Sequence, residues 1–336
     1  MDTRPLLMSV PNVSEGRDVA LIADLVMAFE SAGQEWEASA TAAALAAGEA
    51  DAVRRVRLLD VHSDPDHHRS VFTLAGPQGS LADTLLAGAR VAVAEIDVIA
   101  RARGSIHATE PEPVYPGQHP HVGALDVVPI VYPDEAGRGA ACAEALVVAD
   151  RIGNELGVPV FLYGELSGER ERTRADLRRG GIARLQERMS PGAEGEPELV
   201  PDFGPRELHA TAGATLVAAR PPLVAFNVQL AAPATLELAN WIAARIREGG
   251  EDGLPGVRAI GVMLQVGQVA QVSTNVERPF EIPLAEVVEA VRRHAPVASV
   301  ELVGLVPEAA LAGLPADIPF TDFDPARHVI ENALRS

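Results

Sequence analysis

The sequence predicts an α/β (α+β) fold of two ferredoxin-like lobes, each a βαββαβ unit, whose sheets pack face to face. Three observations carry this. The order of strand-like and helix-like apolar segments repeats along the chain. A proline pair, Pro221-Pro222, separates two apolar runs just after Arg220. At 336 residues the chain is long enough for two packed lobes, and two similar open sheets in tandem each need apolar cover.

In the first half, Leu6 to Val10 reads as a strand and Val19 to Phe29 as a helix. Strands follow at Val56 to Val61 and Ser70 to Ala75, then a helix at Leu81 to Ala100 and a strand at Leu125 to Val131. A further helix, Ala140 to Leu156, and a strand, Val158 to Tyr163, are additions to the βαββαβ order. Gln34 to Asp51, rich in alanine and glutamate, lengthens or follows the first helix. Gly168 to Glu198 mixes arginine, glutamate, glycine and proline and reads as a mobile connection.

The second half repeats the order without additions. Leu223 to Leu230 is an apolar, β-prone run, and Ala234 to Arg247 has helical spacing at Leu236, Leu238, Ile242 and Ile246. Val257 to Gln265 and Val269 to Val276 are strands joined through Val266-Gly267-Gln268, a short hairpin connection. Leu284 to His294 places Val287, Val288 and Val291 on one helical face, and Val297 to Val303 is a strand. This is the order of a split-βαβ unit. A helix at Ala326 to Leu334 ends the chain.

Composition removes several classes of function. No apolar run approaches the roughly 20 residues of a membrane helix, and the start, Met1-Asp2-Thr3-Arg4-Pro5, lacks the basic and apolar segments of a secretory signal, so cytoplasmic residence is expected. The single cysteine, Cys142, excludes an intramolecular disulfide and a thiolate-clustered zinc site, and its alanine-rich helical setting fits an inert thiol. There is no lysine, which excludes a Schiff-base or P-loop lysine. A net charge of −19 argues against nucleic acid, while arginines focused in a cleft still permit an acidic substrate.

The chemistry-bearing stretch is Gly117-Gln118-His119-Pro120-His121-Val122-Gly123-Ala124-Leu125-Asp126, a polar loop running into a buried strand. His119 is a candidate general acid/base because histidine titrates near neutrality, and a loop histidine that only hydrogen-bonds the backbone fits as well. Asp126 either orients that imidazole or holds a turn. The second cluster, Asp60-Val61-His62-Ser63-Asp64-Pro65-Asp66-His67-His68-Arg69-Ser70, alternates acid and imidazole. Without a recognised ligand spacing it favours a polar hairpin over a metal site.

His-Pro-x-x-Gly-Ala-Leu-Asp at His119 to Asp126 resembles the catalytic loop of the glutamate formiminotransferases (glutamate formimidoyltransferases). So do Val10-Pro11-Asn12-Val13-Ser14-Glu15-Gly16, Val158 to Glu165, Pro201 to Pro205, Ala225-Phe226-Asn227, Ala270 to Asn275 and Leu302 to Pro307, in order over almost the whole chain. The resemblance implies an N-terminal subdomain over residues 1–219 and a C-terminal one over 220–336. It implies transfer of the formimino group from N-formimino-L-glutamate to N5 of tetrahydrofolate, the co-substrate, with no metal and with His119 catalytic. It further implies that Arg69 binds a substrate carboxylate, that His62, His121 and Asp126 belong to the substrate site, and that Gly204-Pro205-Arg206-Glu207-Leu208-His209-Ala210-Thr211-Ala212-Gly213 binds folate. Asn227, Gln271, Thr274 and Asn275 are polar residues of the second lobe's strands that either face the site or stand at strand edges. Relatives are often fused to a cyclodeaminase; this chain, ending at Ser336, is expected to hold only the transferase portion, to form a homodimer and to work beside a separate cyclodeaminase.

The chain departs from that pattern at three places, carrying His62 where relatives tend to have aspartate, His68 for asparagine and His121 for arginine. These changes leave the donor open and admit two other readings. One is a metal-dependent amide or amidine hydrolase using His62, His67, His68, His119 and His121; the other is a folate-binding protein without turnover.

Overall fold

The computed structural model describes residues 4–46, 56–102, 121–190 and 198–335. The chain divides into two compact units, 1–220 and 221–336. In the first, seven strands form one sheet: β1 (Leu6–Ser9), β2 (Asn12–Val13), β3 (Arg57–Asp64), β4 (Arg69–Pro77), β5 (Leu125–Val131), β6 (Val160–Leu162) and β7 (Thr215–Arg220). β3 pairs with β4, β4 with both β1 and β2, and these with β5, all antiparallel. β7 and then β6 continue the sheet in parallel from β5. Every residue of β5 is buried, which explains the continuous apolar run from Val127 to Val131: the strand is covered on both faces, and its one charged residue, Asp126, is buried as well.

The helices of this unit are α1 (Val19–Ala46), α2 (Leu81–Glu95), α3 (Val98–Ala102), α4 (Arg138–Leu156), α5 (Arg174–Arg178) and α6 (Gly181–Met189). Leu25 and Phe29 of α1, Leu81, Leu85 and Ala89 of α2, and Ala145, Val148 and Ile152 of α4 close the core with Phe72 and Leu74. α1 and α2 meet closely at Gly88, where an added Cβ would stand 2.1 Å from the Phe29 ring. The first helix runs unbroken to Ala46, absorbing the described part of the alanine-glutamate segment.

Three expectations are corrected. The helix expected over Leu81 to Ala100 breaks at Ile96, which is extended, and restarts as α3 with Asp97 accepting from the Ala100 N–H at 2.8 Å. Much of the expected mobile connection is helical: Thr173 and Asp176 form a capping box for α5, and Leu177, Ile182, Leu185 and Met189 bury one stripe across α5 and α6. Charged residues on the opposite face masked that stripe in the composition. The expected last helix is two single turns, Pro325–His328 and Ile330–Ala333. β7 was not anticipated at all.

In the second unit β8 (Val224–Leu230), α7 (Leu236–Ile246), β9 (Val257–Leu264), β10 (Val269–Val276), α8 (Leu284–Arg292) and β11 (Val297–Val303) follow the expected order, with a short β12 (Phe320–Thr321) at the edge. The strand order is β12-β11-β8-β10-β9. Val224, Phe226, Val228, Val272 and Val276 pack with Ile242, Ile246, Leu284, Val287 and Val291, so α7 and α8 cover one face of this sheet. Strand residues of the alternate parity, including Asn227, Gln229, Gln271 and Ser273, lie on the other face.

Candidate active site

The site residues of the first unit are gathered by the segment after β2. Gly16 packs so closely across the β3–β4 turn that a Cβ would stand 2.3 Å from the Asp64 carbonyl oxygen and 2.5 Å from the Arg69 nitrogen, a gap only glycine fits. Ser70 donates its hydroxyl to the Glu15 carbonyl at 2.6 Å, Ser14 donates its hydroxyl to the Gly123 carbonyl at 2.7 Å, and the Ser14 N–H donates to Ala124 at 2.8 Å. The Ser14-Glu15-Gly16 segment therefore ties the histidine-rich turn to the loop that enters β5. On the other side of that loop, the Ala124 N–H donates to the Ala212 carbonyl at 2.9 Å and the Ala214 N–H to Val122 at 3.0 Å. A Cβ at Gly123 would lie 1.8 Å from the Ala214 carbonyl oxygen, so this contact also requires glycine. The structure thus brings together three segments the sequence marked separately, near 62–70, 121–126 and 209–213.

Glu15 is the electrostatic centre of the first cluster. Its Oε1 accepts from the N–H groups of Gly16, Arg17 and Asp18 at 3.0, 2.8 and 3.1 Å, and its Oε2 from Arg101 of α3 at 2.5 Å. Burial works against its ionisation, but the Arg17 and Asp18 N–H groups and then Arg101 overcome this and hold the carboxyl below its ordinary pKa. Arg101 also donates to the Ser14 carbonyl at 2.6 Å. His68, at φ 50°, sets its Nδ1 3.2 Å from the Gly16 nitrogen, which donates to it, and 3.3 Å from Glu15 Oε1. Burial, opposed by Glu15 and reinforced by Arg101, Arg17 and His121, pushes the His68 pKa down to about 4. The ring is neutral at physiological pH.

The second cluster is cationic. Asp126 is buried; its Oδ1 accepts the Val122 N–H at 2.8 Å and its Oδ2 is paired with Arg178 of α5, itself buried. The side chain of Arg69, a residue opposite Asp64 in the β3–β4 register, makes no hydrogen bond or ion pair with another described residue. Burial, then the proximity of Arg178 and Arg174, pushes its pKa down to about 10 against the pull of Asp126 and Asp64. Asp64 is engaged in the turn, accepting the Asp66 and His67 N–H groups at 2.8 and 2.9 Å. Among the described residues no anion is hydrogen-bonded to this guanidinium, and carboxylates meet guanidinium in a planar, two-pronged geometry.

His119 lies outside the described residues. His121 is half-buried and close enough to His68 to lower its proton affinity. His62, on β3 opposite Val71, has a buried Nε2 with no hydrogen-bond partner. Burial lowers the pKa of His67, whose Nε2 is 3.7 Å from Asp64. In the segment expected to bind folate, Arg206 is exposed and 3.8 Å from Glu198, whereas His209 Nδ1 accepts the Ala212 N–H at 3.1 Å and so shapes the turn that ends at Gly213 (φ 70°). Gly204 (φ 78°) packs against Gly153, while Pro205 and Glu207 are exposed and Leu208 packs on the core. Among the described residues no three His, Cys, Asp or Glu side chains converge as a metal site. Sequence reasoning missed Glu15, Arg101 and Arg178 as members of these clusters. For Arg178 the available signal was the capping box ahead of α5; for Arg101 there was none, because its role depends on the break before α3.

Comparison with known proteins agrees over nearly the whole chain. Residues 6–220 match the formiminotransferase domain, N-terminal subdomain, and residues 225–316 match the formiminotransferase domain. The chain is 34% identical over 333 residues to the glutamate formimidoyltransferase of Streptococcus pyogenes serotype M1, covering 97% of both chains. It is 32% identical to the glutamate formimidoyltransferase of Thermoplasma acidophilum, covering 91% of this chain and 89% of that one. Against the formimidoyltransferase-cyclodeaminase of Gallus gallus the identity is 37%, and the match covers 76% of this chain but 45% of the longer protein.

Proposed function

We infer the working of the site from one premise: the chain belongs to the formiminotransferase family and is a transferase, a glutamate formimidoyltransferase. The observation that carries the premise is the match of both subdomains in order, with full-length similarity to a protein of nearly the same extent.

We propose that the donor is N-formimino-L-glutamate and the acceptor N5 of tetrahydrofolate. N5 attacks the formimino carbon, a tetrahedral centre forms, and the bond from that carbon to the glutamate nitrogen breaks. His119 takes the proton from N5 and returns it to the departing nitrogen, so the products are 5-formiminotetrahydrofolate and glutamate. No covalent nucleophile and no metal are needed, because the substrate amine is the nucleophile and the work of the protein is positioning and proton transfer. Arg69 takes a donor carboxylate, supported by the cationic excess around it. His62 and His121 border the donor. Asp126 acts on the site by fixing Val122 and Arg178, which supports a stationary loop three residues beyond His119. Residues 204–213 hold the folate, a role supported by the contact of Ala212 and Gly213 with the same loop.

The strand orders support the ferredoxin-like reading of each lobe: β5-β1-β4-β3 in the first and β11-β8-β10-β9 in the second place the four βαββαβ strands in the same sequence. No helix among the described residues is long and apolar enough to cross a membrane. A homodimer and a separate cyclodeaminase complete the proposal. The test is incubation with tetrahydrofolate and formiminoglutamate, followed by acid cyclisation and reading of product absorbance. Absence of product across neutral pH, with donor and acceptor both saturating, would refute the assignment of substrates.

A further inference from the structure

Two histidines of the β3–β4 hairpin, His62 and His68, have an Nε2 that no other described residue meets by a hydrogen bond. In His62 that atom is buried, beyond the reach of a ligand. His68 differs. Its side chain is 10% exposed, and its Nε2 is not among the buried unpartnered atoms, so this nitrogen opens to the surface.

The other ring nitrogen of His68 is already committed. Nδ1 accepts the Gly16 N–H at 3.2 Å, so in the neutral ring the proton sits on Nε2, which can only donate. Gly16 is itself fixed by its close approach to Asp64 and Arg69, and the ring is therefore oriented before any ligand arrives. The backbone is strained to hold it there: φ is 50°, a left-handed conformation that glycine adopts freely and most other residues do not. Besides Glu15, whose carboxylate is satisfied by Arg101 and three N–H groups, the groups that act on the ring are Arg101, Arg17 and His121. Such a surround suits an oxygen anion.

The proposed donor offers that acceptor twice. Its formimino group is an amidine, protonated at neutral pH and able only to donate, so its acceptors are two carboxylates set apart by a carbon chain. Arg69 takes one of them. His68 is the preceding residue, yet Arg69 stands among Arg174, Arg178 and Asp126 while His68 stands beside Glu15 and Arg101, so the pair can hold two anions apart. We propose that the Nε2–H of His68 donates to the second carboxylate of the donor, and that His68 and Arg69 together make the site specific for a dicarboxylate donor. This rests on the reading of N-formimino-L-glutamate as donor.

The test uses the full chain and three variants. His68→Leu removes both ring nitrogens, His68→Asn keeps an acceptor for the Gly16 N–H but nothing at the Nε2 position, and His68→Gln brings an amide N–H back to that position. Thermal unfolding is measured, with KM for tetrahydrofolate, for formiminoglutamate and for two single-carboxylate analogues, N-formiminoglycine and N-formimino-4-aminobutyrate. Leu and Asn should raise the formiminoglutamate KM about tenfold and leave the tetrahydrofolate KM unaltered, and Gln should recover part of the loss. In His68→Leu one analogue should weaken likewise, and the other, which lacks the carboxylate that His68 meets, should keep its KM. An unchanged formiminoglutamate KM in the folded Leu and Asn variants would overturn the role of His68, and so would equal loss of tetrahydrofolate or of both analogues. A wild-type chain that uses either analogue as readily as formiminoglutamate refutes the donor reading itself, whereas a wild-type preference that survives intact in His68→Leu refutes only the inference about His68.

Discussion

Two buried carboxylates of the first unit, Glu15 and Asp126, sit in neighbouring clusters with opposite balances. Around Glu15 the carboxylate is answered: three backbone N–H groups and Arg101 converge on it, and Arg101 also donates to the Ser14 carbonyl. Around Asp126 the guanidinium groups of Arg69, Arg174 and Arg178 lie close together, and the Arg69 side chain is left without a hydrogen-bonded partner among the described residues. The first arrangement is complete without a ligand and holds backbone in place. The second holds, among the described residues, a guanidinium with no hydrogen-bonded anion, which suits the proposed role of Arg69 toward a donor carboxylate.

The sharpest way to break this comparison is to remove one charge from each side. Glu15→Ala leaves Arg101 without its carboxylate and three N–H groups without an acceptor, and should cost about 3 kcal/mol or more of unfolding free energy. Arg69→Met removes a cation whose side chain has no hydrogen-bonded partner among the described residues, so thermal stability should stay level or rise. The same change should raise the formiminoglutamate KM about 100-fold, the scale for a lost charge-paired contact. Saturating glutamate should raise the unfolding temperature of the wild type and not of Arg69→Met. If Arg69→Met unfolds the protein while Glu15→Ala is neutral, the two clusters have been assigned the wrong way round.

The next effect concerns rate alone. His119→Ala should lower kcat about 100-fold, with tetrahydrofolate affinity and unfolding temperature nearly unchanged. Steady-state kinetics with both substrates checks this. Wild-type kcat in this variant, combined with loss of activity in His62→Ala, would move proton transfer from the 119–126 loop to the β3–β4 turn.

How much of this was legible in the sequence follows the same division. β5 was readable as a short apolar run, and the hairpin of β9 and β10 and the second-unit helices because each carries a local period in its own residues. The loop ahead of Asp126 was readable because polar residues meet a buried strand there. Glu15 was not, since its meaning depends on a turn fifty residues away that only Gly16 lets it approach. Arg178 was hidden in a charge-rich segment whose buried stripe is split over two short helices, and β7 because its strand lies between two strands that precede it in the chain. Long-range pairing leaves no period to read.

The saturated cluster also carries a pH dependence in the acid range. His68 has a folded pKa of about 4 against an ordinary 6.5. Below pH 6.5 the unfolded chain takes up a proton that the folded chain refuses, so its contribution is full above pH 6.5 and is lost as pH falls toward 4. The lowered pKa of Glu15 acts in the same sense at still lower pH. The loss from His68 should be roughly 3 kcal/mol once pH is below 4, read by denaturant unfolding at a series of pH values. His68→Asn keeps a hydrogen-bonding side chain without a titration and should flatten the slope between pH 6.5 and 4. An unchanged slope would mean that His68 is solvated and titrates normally.

The smallest expected effect belongs to His121, which adjoins His68 but is half-buried and so exchanges much of any contact with water. A partly solvated polar contact is worth about 1 kcal/mol, which corresponds to less than a tenfold change in an equilibrium constant. His121→Ala should therefore raise the formiminoglutamate KM by a few-fold and leave kcat and the tetrahydrofolate KM as they are. Because the residue is two positions from His119, the variant also separates loop geometry from proton transfer. A positioning contact moves KM alone, whereas a disturbed loop moves kcat with it. If His121→Ala lowers kcat as far as His119→Ala does, the hold of Asp126 on Val122 does not insulate the loop, and the two histidines act as one unit.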